Sequence, residues 1–210
     1  MKTVPPMPQI EEGRLIFDFP VGWEVARYDQ DADIEAGMEV GFYRRVVING
    51  NEEAELPALQ RIRGIDFVAR AAGTAPHVQF IEIKDDDLNR EARAPRHKVL
   101  YETVLLKTFN SLSGLLLAER LREPSLAPMA CLSLHPLVEV VLFLVEPPVA
   151  QVPAIGSKRK LRRQNRAVKR NGIDQQLAAK LADWHLPFYL YNLTTRLPPQ
   201  WQVRIKPATS

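Results

Sequence analysis

The chain has 210 residues, 46% of them hydrophobic and 25% charged, with a formal net charge of +3. This length supports one domain with a sizeable core. The single cysteine, Cys131, excludes an internal disulfide and fits a reducing, cytoplasmic environment. The N-terminus lacks an apolar signal region, and no uninterrupted apolar run reaches the ~18 residues of a membrane span. We therefore expect neither export nor a membrane partner.

The first half of the chain predicts β-strands. Short apolar runs occur in "RLIFDF" at 14–19 and in "RIRGIDFVARA" at 61–71. The region at 22–50 fits neither the strand nor the helix period until "EVGFYRRVVI", so we expect helix or loop before a further strand there. "HVQFIEIK" at 77–84 follows the turn-rich connection "AAGTAP", which is short enough to join an antiparallel pair of strands.

A long core helix is predicted after Pro95, in "RHKVLYETVLLKTFNSLSGLLLAERL". The apolar positions that recur near a period of 3.6 residues predict its core-facing side: Val99, Leu105, Leu106, Phe109, Leu112, Leu116 and Leu117. The continuous apolar run "LVEVVLFLVEP" at 137–147 then predicts a strand covered on both faces, at the centre of the sheet.

The remaining segments complete a predicted α/β fold. Ser157 is a candidate N-cap for a basic helix, and Asn171-Gly172 is a candidate stop before a further helix, "DQQLAAKLADW". "FYLYNL" and "WQVRIK" predict closing strands. The order of elements predicts a mixed central β-sheet flanked by helices. Residues 1–150 would form the α/β core, and residues 151–210 a basic helical extension with closing strands, packed on the same domain.

The predicted basic helix concentrates positive charge. Residues 157–170 contain eight lysines and arginines and no acid, so the rest of the chain has a formal net charge of −5. Phosphate contacts supply most non-specific affinity for nucleic acids, so this segment predicts DNA or another polyanion as partner. A solvated helix face is the alternative. The candidate nucleic-acid-binding residues are Lys158, Arg159, Arg162, Arg163, Arg166, Lys169 and Arg170.

Charged residues interrupt two of the predicted strands, in "GIDF" and in "FIEIKDD". Residues two apart in a strand point to one face, so Glu82 and Lys84 share a side while Ile81 and Ile83 face the core. If the two strands pair, the carboxylate of Asp66 approaches that of Glu82, and a Mg²⁺ ion between them would relieve their repulsion. The lysine could then orient a water molecule or stabilise charge at phosphorus. A surface ion pair between Glu82 and Lys84 is the alternative.

The sequence "GIDF" followed by "IEIKD", a core helix and a buried strand resembles the PD-(D/E)xK nuclease superfamily, which has the restriction-endonuclease-like fold. The resemblance covers residues 14–146 in the order of elements, and "FDFPVGWEVARYD" is similar to the leading part of small bacterial proteins with a "DF…EIKD" core. It implies that Asp66 and Glu82 bind Mg²⁺ or Mn²⁺ and that Lys84 is catalytic with them. The implied reaction is phosphodiester hydrolysis in DNA.

Some members of that superfamily carry a further acidic residue on an early helix, and Glu24, Asp29 and Glu35 are candidates for it. Because several lineages with this fold have lost cleavage, a non-catalytic nucleic-acid-binding or protein-interaction module is the alternative function. A structural protein whose basic helix contacts an acidic partner is a more distant one. Many members dimerise to cut two strands, and the sequence leaves a homodimer open.

Overall fold

The structure is a computed structural model that describes residues 7–29, 42, 63–73, 75–85, 97–145, 157–194 and 201–207. The strands are β1 (Gln9–Glu12), β2 (Leu15–Asp18), β3 (Glu24–Arg27), β4 (Phe67–Arg70), β5 (His77–Asp85), β6 (Leu137–Val145), β7 (Phe188–Tyr191) and β8 (Gln202–Ile205). The long helices are α1 (His97–Leu121) and α2 (Ser157–Ala182), and two 3₁₀ turns, Pro124–Leu126 and Leu132–Leu134, connect α1 to β6.

Five strands form a mixed sheet in the order β3-β4-β5-β6-β7. Strands β3, β4 and β5 are antiparallel neighbours, joined between β4 and β5 by the predicted short turn. Strands β5, β6 and β7 run parallel to one another. The predicted mixed α/β architecture is therefore confirmed.

A second, three-stranded antiparallel sheet in the order β1-β2-β8 covers one face of the larger sheet. The apolar cluster between the two sheets includes Leu15, Phe17, Trp201, Phe67, Ile81 and Phe143. Helices α1 and α2 pack on the other face, against Val78, Phe80, Val140 and Leu142. In the described part of the chain, both long helices thus pack on one face of the five-stranded sheet, and the three-stranded sheet packs on its other face.

Strand β6 is apolar on both faces, as its continuous run predicts. Val140 and Leu142 face the helices, whereas Val141 and Phe143 face the smaller sheet. Side chains of adjacent strand residues point to opposite faces, so a strand between two layers is expected to be mostly apolar on both faces. The middle strand of the five is nevertheless β5, which pairs along its whole length with β6.

The predicted core-facing side of α1 is correct only in part, because Leu105 and Leu112 pack against the core but three other predicted residues do not. Leu106, Phe109 and Leu116 are more than half exposed. The buried positions are instead Leu100, Val104, Lys107, Thr108, Ser111, Leu115 and Ala118. Apolar residues occur around most of the helix, so the apolar period alone could not choose the buried side. The side that faces the sheet carries three polar residues, one of which belongs to the candidate site.

The predicted helix stop at Asn171-Gly172 is also wrong, because α2 continues through both residues to Ala182. Its second half presents Ile173, Leu177 and Leu181 to the core on the helix side of the sheet. A glycine inside a helix costs only about 1 kcal/mol relative to alanine, which burial of three large aliphatic side chains exceeds.

The C-terminal segment contributes to both sheets. Strand β7 pairs with β6, and β8 pairs with β2. The predicted strand at 61–71 is shorter in the structure, since β4 begins at Phe67. The predicted strand "EVGFYRRVVI" lies outside the described residues except for Phe42, which packs in the cluster on the helix side. None of the described helices is both long enough and apolar enough to cross a membrane.

Candidate active site

Asp66 lies in the bend immediately before β4. Its backbone carbonyl accepts a hydrogen bond of 3.0 Å from the amide of Tyr28, which fixes it next to β3. The antiparallel register pairs Phe67 with Ile81, and continuing it by one residue places Asp66 opposite Glu82. Directly opposite residues point to the same face of a sheet. The short turn between β4 and β5 therefore brings the two carboxylates together.

A buried serine of α1 holds the backbone on the other side of Asp66. The amide of Ile65 donates to Ser111 Oγ at 2.8 Å, and the hydroxyl of Tyr28 donates to the Ser111 carbonyl at 3.2 Å. Ser111 is fully buried, so these bonds are shielded from water. The bend is thus tied to the helix, and the Asp66 side chain is directed along the sheet face beneath α1.

Glu82 is fully buried in the middle of β5, on the face that packs against the helices. Lys84, two residues along, shares that face, and its side chain is 28% exposed. Lys84 Nζ lies 2.5 Å from Glu82 Oε1. The contact is an ion pair without hydrogen-bond geometry, since Oε1 accepts no hydrogen bond within the described part of the chain. The described charged partner of this oxygen is therefore the Lys84 ammonium group, at ion-pair distance.

Lys107 of α1 joins the two carboxylates, and sequence reasoning missed it. Its ammonium group donates to Glu82 Oε2 at 2.8 Å and to Asp66 Oδ1 at 2.9 Å. The other oxygen of Asp66 accepts from the amide of Ile83 at 2.7 Å. Lys107 is only 5% exposed. The signal in the sequence was a lysine inside the apolar stretch "VLLKTF", because a buried lysine requires a partner of opposite charge.

Burial and charge act in opposite directions at this cluster. Burial, followed by the neighbouring Asp66 carboxylate, raises the pKa of Glu82 from 4.5 to about 7 against the opposing effect of the two lysines. Burial also disfavours the charge on Lys107, but the Glu82 and Asp66 carboxylates outweigh it and raise the pKa of this lysine. Both the Glu82 carboxyl group and the Lys107 ammonium group therefore lose their protons at higher pH than they would in water.

Of the other acidic candidates, the two that the structure describes, Glu24 and Asp29, do not join this cluster. Glu24 lies on strand β3 rather than on a helix, because the segment pairs with β4, and its half-exposed side chain lies 3.7 Å from Arg70. Asp29 accepts a hydrogen bond of 2.9 Å from the amide of Gly64. Glu35 lies outside the described residues.

The acidic run that follows Lys84 begins with Asp85, the last residue of β5, and the charge of this residue is paired. Arg14 donates two hydrogen bonds to the Asp85 carboxylate, at 2.8 and 3.1 Å. A bidentate pair of this kind fixes both side chains and cancels their charges. Asp85 therefore adds little negative potential to the end of β5 beyond Lys84.

The candidate nucleic-acid-binding residues all lie on α2. Lys169 is exposed and Arg170 is partly buried. The side chains of Lys158, Arg159, Arg162, Arg163 and Arg166 lie outside the described part of the chain, although their backbone is helical. The second half of α2 packs on the same face of the sheet as α1, through Ile173, Leu177 and Leu181, so this part of the helix and the carboxylates lie on one side of the sheet.

Two carboxylates at one point raise the question of a divalent cation. In the described ranges, no three His, Cys, Asp or Glu side chains cluster in a way that could hold a metal. Asp66 and Glu82 supply two carboxylates that already share one cation, the Lys107 ammonium. Mg²⁺ is commonly held by one or two carboxylates and keeps several waters, so this pair fits it.

The chain was also compared with protein-family models, with curated proteins and with solved structures. None of the three comparisons finds a match.

Proposed function

We propose that the protein is a metal-dependent phosphodiester hydrolase that acts on DNA, built on a restriction-endonuclease-like fold. The observation that carries the proposal is the convergence of Asp66 and Glu82, from two adjacent strands, on a single cation position. Lys84 stands beside them with a partly exposed side chain. Two carboxylates can hold a metal ion and a lysine can stabilise developing charge, which are contributions that metal-assisted hydrolysis of a phosphodiester uses.

Each residue has a separate role in this proposal. Asp66 and Glu82 would hold Mg²⁺ or Mn²⁺, and the ion when bound would polarise the scissile phosphate as a Lewis acid. Lys84 reaches solvent from the same face, so its ammonium group can orient the attacking water and stabilise negative charge at phosphorus. Glu82 is held in the sheet interior, where the low dielectric strengthens these electrostatic interactions.

The proposed substrate follows from the charge on α2. The eight basic residues lie at 157–170, in the first half of this helix. The second half packs through Ile173, Leu177 and Leu181 on the same face of the sheet as the carboxylates. Contacts from the basic residues to backbone phosphates would position DNA without reading its sequence. We place this activity in the cytoplasm, where the single thiol of Cys131 stays reduced.

Replacing Lys84 by alanine is expected to reduce cleavage about 100-fold, the usual effect of removing one preorganised donor. The assay supplies Mg²⁺ or Mn²⁺ and a panel of linear, circular, single-stranded and branched DNA, with RNA as a further substrate. Lys180→Ala is the matched control, because Lys180 is exposed and its described ion pair is with Asp183 rather than with Asp66 or Glu82. Absence of metal-dependent cleavage of every substrate by the wild-type chain would refute the proposal.

A second candidate is a non-catalytic nucleic-acid-binding module. One observation favours it: the Lys107 ammonium already bridges Asp66 and Glu82 at the position where a metal would bind. Such a protein would bind DNA through α2 and be indifferent to the loss of Lys84. The cleavage panel separates it from the hydrolase, because only the hydrolase converts bound DNA to product.

Both candidates require α2 to contact phosphates. Replacing Lys158, Arg159, Arg162 and Arg163 together by glutamine is expected to weaken DNA binding and to flatten its salt dependence. The slope of log K against log salt should fall by about 0.9 for each phosphate that the variant no longer neutralises. The matched control removes four positive charges outside α2, at Arg120, Arg122, Arg204 and Lys206. The affinity is measured by fluorescence anisotropy with DNA of random sequence. An unchanged slope in the α2 variant would show that DNA does not bind to α2.

A further inference from the structure

Lys107 occupies the position that the proposed function assigns to a metal ion. Its Nζ lies within 2.9 Å of one oxygen from each carboxylate, Asp66 Oδ1 and Glu82 Oε2. The side chain comes from α1, on the opposite side of the site from the two strands. Lys84 differs, because its described contact is with Glu82 Oε1 alone. Of the two lysines, Lys107 therefore fills the position between the acids.

Simultaneous occupancy by Lys107 and a divalent cation is unfavourable. When both carboxylates are ionised, as metal binding needs, they balance the two ammonium groups in charge, and Glu82 and Lys107 are buried. Adding a divalent cation would leave two uncompensated positive charges, which a buried site of low dielectric penalises strongly. The ammonium group and the metal would also compete for the same oxygen atoms, Asp66 Oδ1 and Glu82 Oε2.

We infer that Lys107 is a resident counter-ion that competes with the divalent cation, so that metal binding requires its ammonium group to leave the two carboxylates. The inference rests on the metal site of the proposed function and adds a device that regulates it. Without metal, Lys107 holds Asp66 and Glu82 together and keeps the site neutral. When a metal ion binds, the Lys107 side chain must change its conformation so that its ammonium group contacts another partner or water.

The test measures Mn²⁺ binding to the full chain by isothermal titration calorimetry, which needs no substrate and no cleavage. Lys107→Met removes the charge but keeps an unbranched apolar side chain in the same space. It is expected to bind Mn²⁺ at least about tenfold more tightly than the wild-type chain, because a like charge at contact distance costs more than this factor. The matched control, Lys84→Met, also deletes a charge beside Glu82 but leaves Lys107 in place, so its gain should be smaller. Lys180→Met should change nothing.

A second variant and a second readout cover the case in which Lys107→Met does not fold. Lys107→Gln keeps a hydrogen-bond donor without the charge, and the folded state of each variant is checked by circular dichroism. Mn²⁺ should raise the melting temperature of either variant more than that of the wild-type chain, because a ligand that binds the native state stabilises it.

The outcomes separate this inference from the proposed function. If neither Lys107 variant binds Mn²⁺ more tightly than the wild-type chain, the inference is overturned, even if the wild-type chain cleaves DNA. If a Lys107 variant binds Mn²⁺ tightly at Asp66 and Glu82 and no protein cleaves DNA, the inference holds and the proposed function fails. Loss of the tight binding in the double variant Asp66→Asn/Lys107→Met would assign it to the carboxylates.

Discussion

Replacing Asp66 by asparagine is expected to lower Mg²⁺-dependent DNA cleavage by about 10³-fold, the equivalent of several kcal/mol of Lewis-acid stabilisation. The amide keeps the shape of the side chain but removes its charge, so one of the two carboxylates that would hold the metal disappears. It cannot accept from both the Ile83 amide and Lys107 Nζ as the carboxylate does. We therefore also expect a decrease of about 1–3 kcal/mol in the free energy of unfolding.

The measurement for Asp66→Asn is the single-turnover rate of cleavage at saturating Mg²⁺, on the substrate from the panel that the wild-type chain cleaves best. Asp183→Asn is the control, because it makes the same chemical change at an exposed carboxylate after α2. If the variant folds, as judged by circular dichroism, and cleaves at the wild-type rate, Asp66 does not take part in cleavage.

Replacing Glu82 by glutamine is expected to alter how the free energy of unfolding depends on pH. The pKa of Glu82 is raised from 4.5 to about 7, first by burial and then by Asp66. A carboxyl whose pKa is raised in the folded state favours folding at low pH and loses that contribution as pH rises through the folded pKa. In the wild-type chain, this group alone should remove about 3 kcal/mol of stability between pH 4.5 and pH 8.

The Glu82→Gln variant has no such proton to lose, so its stability relative to the wild-type chain should rise over that pH window. Urea denaturation at a series of pH values, with EDTA present to exclude metal ions, measures the difference. Glu24→Gln makes the same change at a half-exposed carboxylate of β3 and serves as the control. Parallel pH profiles for the wild-type chain and Glu82→Gln would contradict the burial argument for this group.

The relation between Asp66 and Glu82 could be predicted because it depends on local rules. A strand alternates its faces with a period of two, and a short connection between two strands favours an antiparallel pair. These rules place Glu82 and Lys84 on one face and bring Asp66 opposite Glu82, and the structure has this arrangement. The long apolar run of β6 predicted its burial on both faces for the same reason.

The role of Lys107 could not be predicted by the same rules. Its position depends on which side of α1 faces the sheet, and apolar residues occur on most sides of that helix. In the folded chain, the side of α1 that carries Val104, Lys107 and Ser111 packs against the sheet, and Phe109 is more than half exposed. Likewise, burial of Ile173 and Leu177 decided that α2 continues past Gly172, against the local preference of glycine for a helix end. Both errors arose where long-range packing outweighed a local signal.

The measurement that tests the central claim most directly is anomalous scattering from a crystal of the wild-type chain grown in millimolar Mn²⁺. The account predicts an anomalous peak from Mn²⁺ between the carboxylates of Asp66 and Glu82. The distance from the peak to the nearest oxygen of each should be about 2 Å, as is typical of a small divalent cation. Lys107 Nζ should have moved away from both oxygens in that crystal. A map with no peak at this position, and with Lys107 still bridging Asp66 and Glu82, would contradict the account.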